Sequence, residues 1–106
     1  MKERKIVIHP ITEKFYRNLS KLKNWEETKL VRGQAVKIHK HKFDAMYFTS
    51  SVKTLYNDGE KIDLPEFAAV FIPKEQEHGW GGANREIGIV GHFHEGHGIH
   101  AIVPEY

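Results

Sequence analysis

An all-β domain with one short amino-terminal helix is the fold class these 106 residues predict, on three observations. Runs rich in Val, Ile, Phe and Tyr recur from residue 28 onward, separated by turn residues every several positions. Helical periodicity is confined to a single stretch near the start. The apolar fraction is 40% and the charged fraction 28%, which is the composition of a folded globular chain rather than a disordered one.

Residues 5–8 read as a short strand stopped by His9-Pro10. Thr12 then caps a helix whose stripe is Phe15, Leu19 and Leu22, expected to pack on the outside of the core. Residues 52–56 and 60–64 form a hairpin across Asn57-Asp58-Gly59, because Asp-Gly supplies the positive φ values of a tight two-residue turn. Val70-Phe71-Ile72 is a buried strand ended by Pro73. The glycine-rich stretch 79–84 is expected to turn before a strand over 86–94, and Gly96 and Gly98 to break the chain before a last strand over 99–103. With no repeat, low-complexity tract or linker, a single domain over 1–106, built as a many-stranded antiparallel sandwich or barrel, is the expected architecture.

Composition narrows the chemistry. Sixteen Lys and Arg against fourteen Asp and Glu leave a charge of +2, too slight to predict a phosphate-binding face, so nucleic acid is not an expected partner. No apolar run approaches a membrane span, so a cytoplasmic, membrane-free home is the default expectation. Cysteine is absent, which removes disulfides, thiolate nucleophiles and cysteine-based zinc sites. Any metal must then be held by histidines and carboxylates, and eight histidines are available.

His39 and His41 are two residues apart, so on a strand they share a face with Cα atoms about 6.5 Å apart. Imidazoles so placed can converge on one ion at about 2.0–2.1 Å. The same pattern also describes a solvent-exposed basic strand, since Lys37 shares that face and Lys40 and Lys42 flank the pair. A third, remote ligand is needed to decide between the two.

Gly33, five residues, then His39-Lys40-His41 is the opening of the first cupin motif, and Pro73-Lys-Glu-Gln-Glu-His78 after Val70-Phe71-Ile72 fits the frame of the second. The chain thus resembles the cupin superfamily over about residues 33–93, with the Asp58-Gly59 hairpin between the motifs as in the family. The resemblance implies a double-stranded β-helix, the cupin jelly-roll barrel. It also implies a divalent metal ion, iron, manganese, nickel, cobalt or zinc, on His39, His41 and His78.

Several positions depart from the family pattern. Ala45 and Met46 stand where cupins carry a ligating Glu, Glu75 and Ser50-Ser51 replace turn glycines, and Phe67-Ala68 replaces Gly-Asp. Cupin thiol dioxygenases are similar to this chain in using three histidines and no Glu. A fourth ligand is open among Asp44, which needs a bulge to reach the site, His92, His94, the loop residues His97 and His100, and water. The bland reading of the histidine-rich end is a polar surface or subunit contact.

Tyr47, Tyr56 and Trp80 are candidates for lining a substrate pocket, with ordinary core packing as the competing reading. Catalytic residues are not identified: Glu75 and Glu77 flank the second motif but tend to face away from His78. By resemblance the function is that of a metal-dependent dioxygenase, isomerase or lyase on a small polar metabolite such as a sugar, keto acid or thiol. The alternative is a non-catalytic sugar-type sensor, because the run from His41 to Phe48 and Gly91-His-Phe also resemble the ligand-binding domain of arabinose-type regulators. Open sheet edges lead to the expectation of a homodimer.

Overall fold

The computed structural model describes residues 5–93 and 101–106. Among the described residues, ten strands and one helix follow in order: β1 (Val7–Pro10), α1 (Glu13–Ser20), β2 (Trp25–Val31), β3 (Gln34–His39), β4 (Ala45–Ser50), β5 (Val52–Asn57), β6 (Glu60–Asp63), β7 (Phe67–Ile72), β8 (His78–Ala83), β9 (Ile87–Phe93) and β10 (Ile102–Pro104). They form two five-stranded antiparallel sheets in a compact globule, ordered β1-β7-β4-β9-β2 and β10-β3-β8-β5-β6. The pairs β2·β9, β3·β8, β4·β7 and β5·β6 nest inside one another along the chain. No helix among the described residues is long and apolar enough to cross a membrane.

Strand alternation builds the core. Ala45 and Tyr47 of β4, Ala68, Val70 and Ile72 of β7, Leu55 of β5, Leu30 of β2, Trp80 of β8 and Val90 of β9 point between the sheets and pack as one cluster. The hairpin follows its turn chemistry. Asp58 and Gly59 have φ of 49° and 84°, and Asn57 pairs with Glu60 across the two-residue loop.

Two expectations are corrected. Thr12 does cap α1, accepting the Phe15 N–H at 3.1 Å, but Phe15 and Leu22 are exposed and Tyr16 is the buried residue. Tyr16 sets its ring 5.7 Å from Trp25 and 5.5 Å from Phe67, on the outer face of the first sheet, and those aromatics decide which side of this two-turn helix is covered. Residues 79–83 are not a turn but belong to β8, which is buried on both faces, and the chain bends instead at residues 84–86. Here glycine serves as the absence of a side chain: a Cβ on Gly81 would strike the Tyr56 ring.

Candidate metal centre

The site begins with an irregularity in strand pairing. Ala35 faces Gly81 and Val36 faces Trp80, but the next partners are His39 and His78, so Lys37 and Ile38 together oppose Gly79. That is a β-bulge. Val36 points into the core, and strict alternation would send His39 outward. The extra residue turns it back, while Lys37 and Ile38 are both exposed. Lys37 therefore does not share the histidine face, contrary to the expectation from an uninterrupted strand. His41 lies beyond the end of β3, in a loop.

Two hydrogen bonds dock that loop onto the segment before β8. His41 O accepts the Glu75 N–H at 2.6 Å, and an Asp44 carboxylate oxygen accepts the Lys74 N–H at 2.9 Å. Glu75 has φ of 63°, the left-handed conformation that the tight approach requires. Asp44 is exposed and is not part of the histidine cluster, so among the candidate fourth ligands its observed role is to clamp the loop.

The three rings converge. Ring centres are 4.4 Å apart for His39 and His78, 4.7 Å for His39 and His41, and 5.3 Å for His41 and His78. One nitrogen from each lies within 4.8 Å of the others. Metal–nitrogen bonds of about 2.0–2.1 Å set ligand nitrogens about 3.3 Å apart around a tetrahedral ion, so binding draws the three together by up to about 1.5 Å.

Backbone carbonyls set the tautomers. His39 Nδ1–H donates to Lys37 O at 2.5 Å and His78 Nδ1–H donates to Gln76 O at 3.0 Å, since a carbonyl can only accept. Each Nε2 then carries a lone pair, the arrangement of a ligating histidine whose other nitrogen is held in place. His78 is fully buried, and its Nε2 has no hydrogen-bond partner among the described residues. Burial, helped by the nearby His39 and His41, pulls its pKa from 6.5 down to about 4 against the opposing pull of the Gln76 carbonyl. It is therefore neutral at pH 7, as a ligand must be.

Tyr47 and Trp80 are fully buried beside the cluster. The Tyr47 hydroxyl is 3.1 Å from His41 Nε2, and its ring is 5.8 Å from His78 and 5.3 Å from Trp80. Burial raises the Tyr47 pKa and keeps its proton on oxygen. The Trp80 ring lies 6.3 Å from His78, and its Nε1, like Thr49 Oγ1, is buried with no hydrogen-bond partner among the described residues. Tyr56 is not brought to this group. Its neighbour Leu55 is in the core, so Tyr56 faces the other way, over Gly81 and 4.9 Å from the Tyr106 ring.

His92 is buried on the same interior face as Val90, with its Nε2 3.5 Å from Glu26 and its ring 5.9 Å from Tyr47. It stands outside the triad. The Glu26 partnership was not foreseen, since it needs the register that sets Glu26 opposite His92. His94, His97 and His100 lie outside the described residues. Glu75 and Glu77 are exposed, Glu75 sitting 3.8 Å from Lys40. A cavity of about 540 Å³ opens elsewhere, between α1 and the first sheet, lined among others by Glu13, Tyr16, Arg17, Glu66 and Arg85. Comparison with family models, curated proteins and solved structures yields no match to this chain.

Proposed function

We propose that this chain is a small cupin-type jelly-roll protein that binds one divalent metal ion through His39, His41 and His78. The observation that carries the reading is the buried His78 Nε2, which lacks a hydrogen-bond partner among the described residues while its Nδ1 is held by a carbonyl and two further imidazoles converge on it. Buried polar atoms in folded proteins are satisfied with few exceptions, and an ion at this point would satisfy this one.

The nested antiparallel pairs, from β2·β9 inward to β5·β6, support a jelly-roll path. Left-handed backbone at Ser51 (φ 58°) and Glu75 (φ 63°) supports the family reading too. These are two of the places where the resemblance calls for glycine, so the turn geometry is kept although the residue is not.

Three neutral imidazoles leave coordination positions open, and an ion held so supplies Lewis acidity toward an oxygen of a small polar molecule. The chain itself contributes the ligands, the apolar walls of Tyr47 and Trp80, and a proton held on the Tyr47 hydroxyl.

Metal content of protein purified without a histidine tag tests the reading. About one equivalent of a transition metal is expected, falling below about a tenth in His78→Ala, because loss of one of three ligands removes most of the chelate. Equal metal in parent and variant, or none in the parent after incubation with each of iron, manganese, nickel, cobalt and zinc, overturns it. Thermal stabilisation by sugars in a metal-free parent would favour the sensor alternative instead.

A further inference from the structure

We infer that Tyr106 is a positioning residue for this metal centre, holding the β3 bulge that turns His39 into the interior. The inference rests on the metal reading above and adds what sets the ligand geometry.

An added residue in one strand leaves backbone groups that the neighbouring strand cannot pair. In β3 the Ile38 N–H is taken up from outside the β3·β8 ladder, donating to the Tyr106 hydroxyl at 2.7 Å. The Lys37 N–H points to the other edge of β3 and donates to Ala101 O at 2.9 Å, one step on from the β10·β3 register. The Tyr106 hydroxyl in turn donates to Val36 O at 3.4 Å, so one phenol oxygen holds both Ile38, inside the bulge, and Val36, the residue just before it. Val36 is the last residue in regular register before the break and His39 the first after it. The bond to Ile38 therefore sits between the residue that faces the core and the ligand that must be brought back to the same side.

The phenol is itself held. β10 pairs with β3 from Val36 to Gln34, and the Glu105 N–H donates to Gly33 O at 2.7 Å. Tyr56 meets the Tyr106 ring edge-on at 4.9 Å. The opposite side of the bulge is equally close-fitting: a Cβ on Gly79 would come within 2.9 Å of both Ile38 Cγ1 and Val36 O, so β8 is bare where Val36 and Ile38 crowd against it. The bulge is thus confined by a glycine on one side and gripped by a hydroxyl on the other. Only the hydroxyl can be removed without adding volume.

Tyr106→Phe deletes that acceptor and keeps the ring packing on Tyr56. Zinc affinity of the metal-free protein, measured by chelator competition, is compared for the parent, Tyr106→Phe, His39→Ala and the double variant. Tyr106→Phe is expected to bind about 10-fold more weakly, the loss usual for a residue that orients a ligand. In the His39→Ala background it is expected to have no further effect, because the ligand through which it acts is gone. Pulsed EPR of the copper-loaded protein is expected to count three imidazoles in the parent and two in Tyr106→Phe. Parent-like affinity and imidazole count in Tyr106→Phe, with His39→Ala weakened, overturn the positioning role alone. An equal loss in both backgrounds overturns it as well, since the effect then acts on the fold and not on His39. Parent-like affinity in His39→Ala overturns the histidine centre and, with it, the role of Tyr106.

Discussion

The β5–β6 hairpin and the β3–β8 ladder lie in the same sheet, and their strands meet through the β5·β8 pairing, yet they obtain their registers in opposite ways. In the hairpin, two residues with positive φ join Asn57 to Glu60, and pairing runs without a break to Thr54 and Asp63. Turn chemistry alone sets it. β3 and β8 are joined by no turn, and their register slips between Val36 and His39. That slip puts a histidine opposite His78. Regular pairing would have buried the next alternate residue, Ile38, and sent His39 to solvent, because a one-residue shift exchanges the faces of a strand. The chemistry of this molecule therefore sits where local rules were overridden, and the hairpin, where they hold, carries none of it.

The strongest way to break the β3–β8 side is Gly81→Val. Its side chain would run into the Tyr56 ring, which cannot withdraw freely because Tyr106 stands against it. Overpacking of this kind should lower stability by about 3 kcal/mol, read as a lower urea midpoint at unchanged slope. Tyr56→Ala in the same chain should recover part of that loss, so the pair should be less than additive. An unchanged midpoint in Gly81→Val would show that β8 is not packed as closely as its glycines indicate.

Acid acts on the same ladder through His78. Its pKa is about 4 when folded and 6.5 in the unfolded chain. Between those values the unfolded chain binds a proton that the folded chain refuses, so stability falls as pH drops from 6.5 toward 4 and is fully present above 6.5. At pH 5 the metal-free protein should have lost about 2 kcal/mol relative to pH 7 through this group. His78→Gln should flatten that slope in urea titrations at the two pH values. If the variant keeps the full dependence, His78 is not the group responsible.

What could be read in advance divides along the same line. The Asp58-Gly59 hairpin, the Thr12 cap and the strand ending at Pro73 were legible, because each depends on residues a few positions apart. The triad was legible for a different reason: two short motifs at fixed spacing could be laid on one template. The means by which it is assembled was not. The spacing argument placed His39 and His41 on one strand, whereas a bulge and a loop bring them together.

Nothing local to His39 announces the hydroxyl of Tyr106, or that Asp44 would be taken by the Lys74 N–H. Gly79 and Gly81 looked like turn residues because their use is steric, and the atoms that need the room belong to Ile38 and Tyr56, far away in sequence. Tyr56 was grouped with Tyr47 and Trp80 by chemistry, but strand alternation assigns it the opposite face. The stripe on α1 failed similarly, since Trp25 and Phe67, not the helix itself, select Tyr16 for burial.

Gly59→Ala is the gentlest probe and the most discriminating. No atom lies within 4 Å of where its Cβ would stand, so the substitution meets no packing obstacle and its cost comes from φ of 84° alone. An alanine held in that region should cost about 1 kcal/mol. Because the hairpin sets its own register, that cost should stay within it. The urea midpoint should fall slightly, while zinc affinity should remain within about twofold of the parent, a difference of roughly 0.4 kcal/mol. Gly81→Val, by contrast, should change both, since Tyr56 links β8 to the phenol that grips the bulge. A large loss of affinity in Gly59→Ala would mean that the turn and the histidines share one register after all, and that the bulge is set from the hairpin side and not from β10.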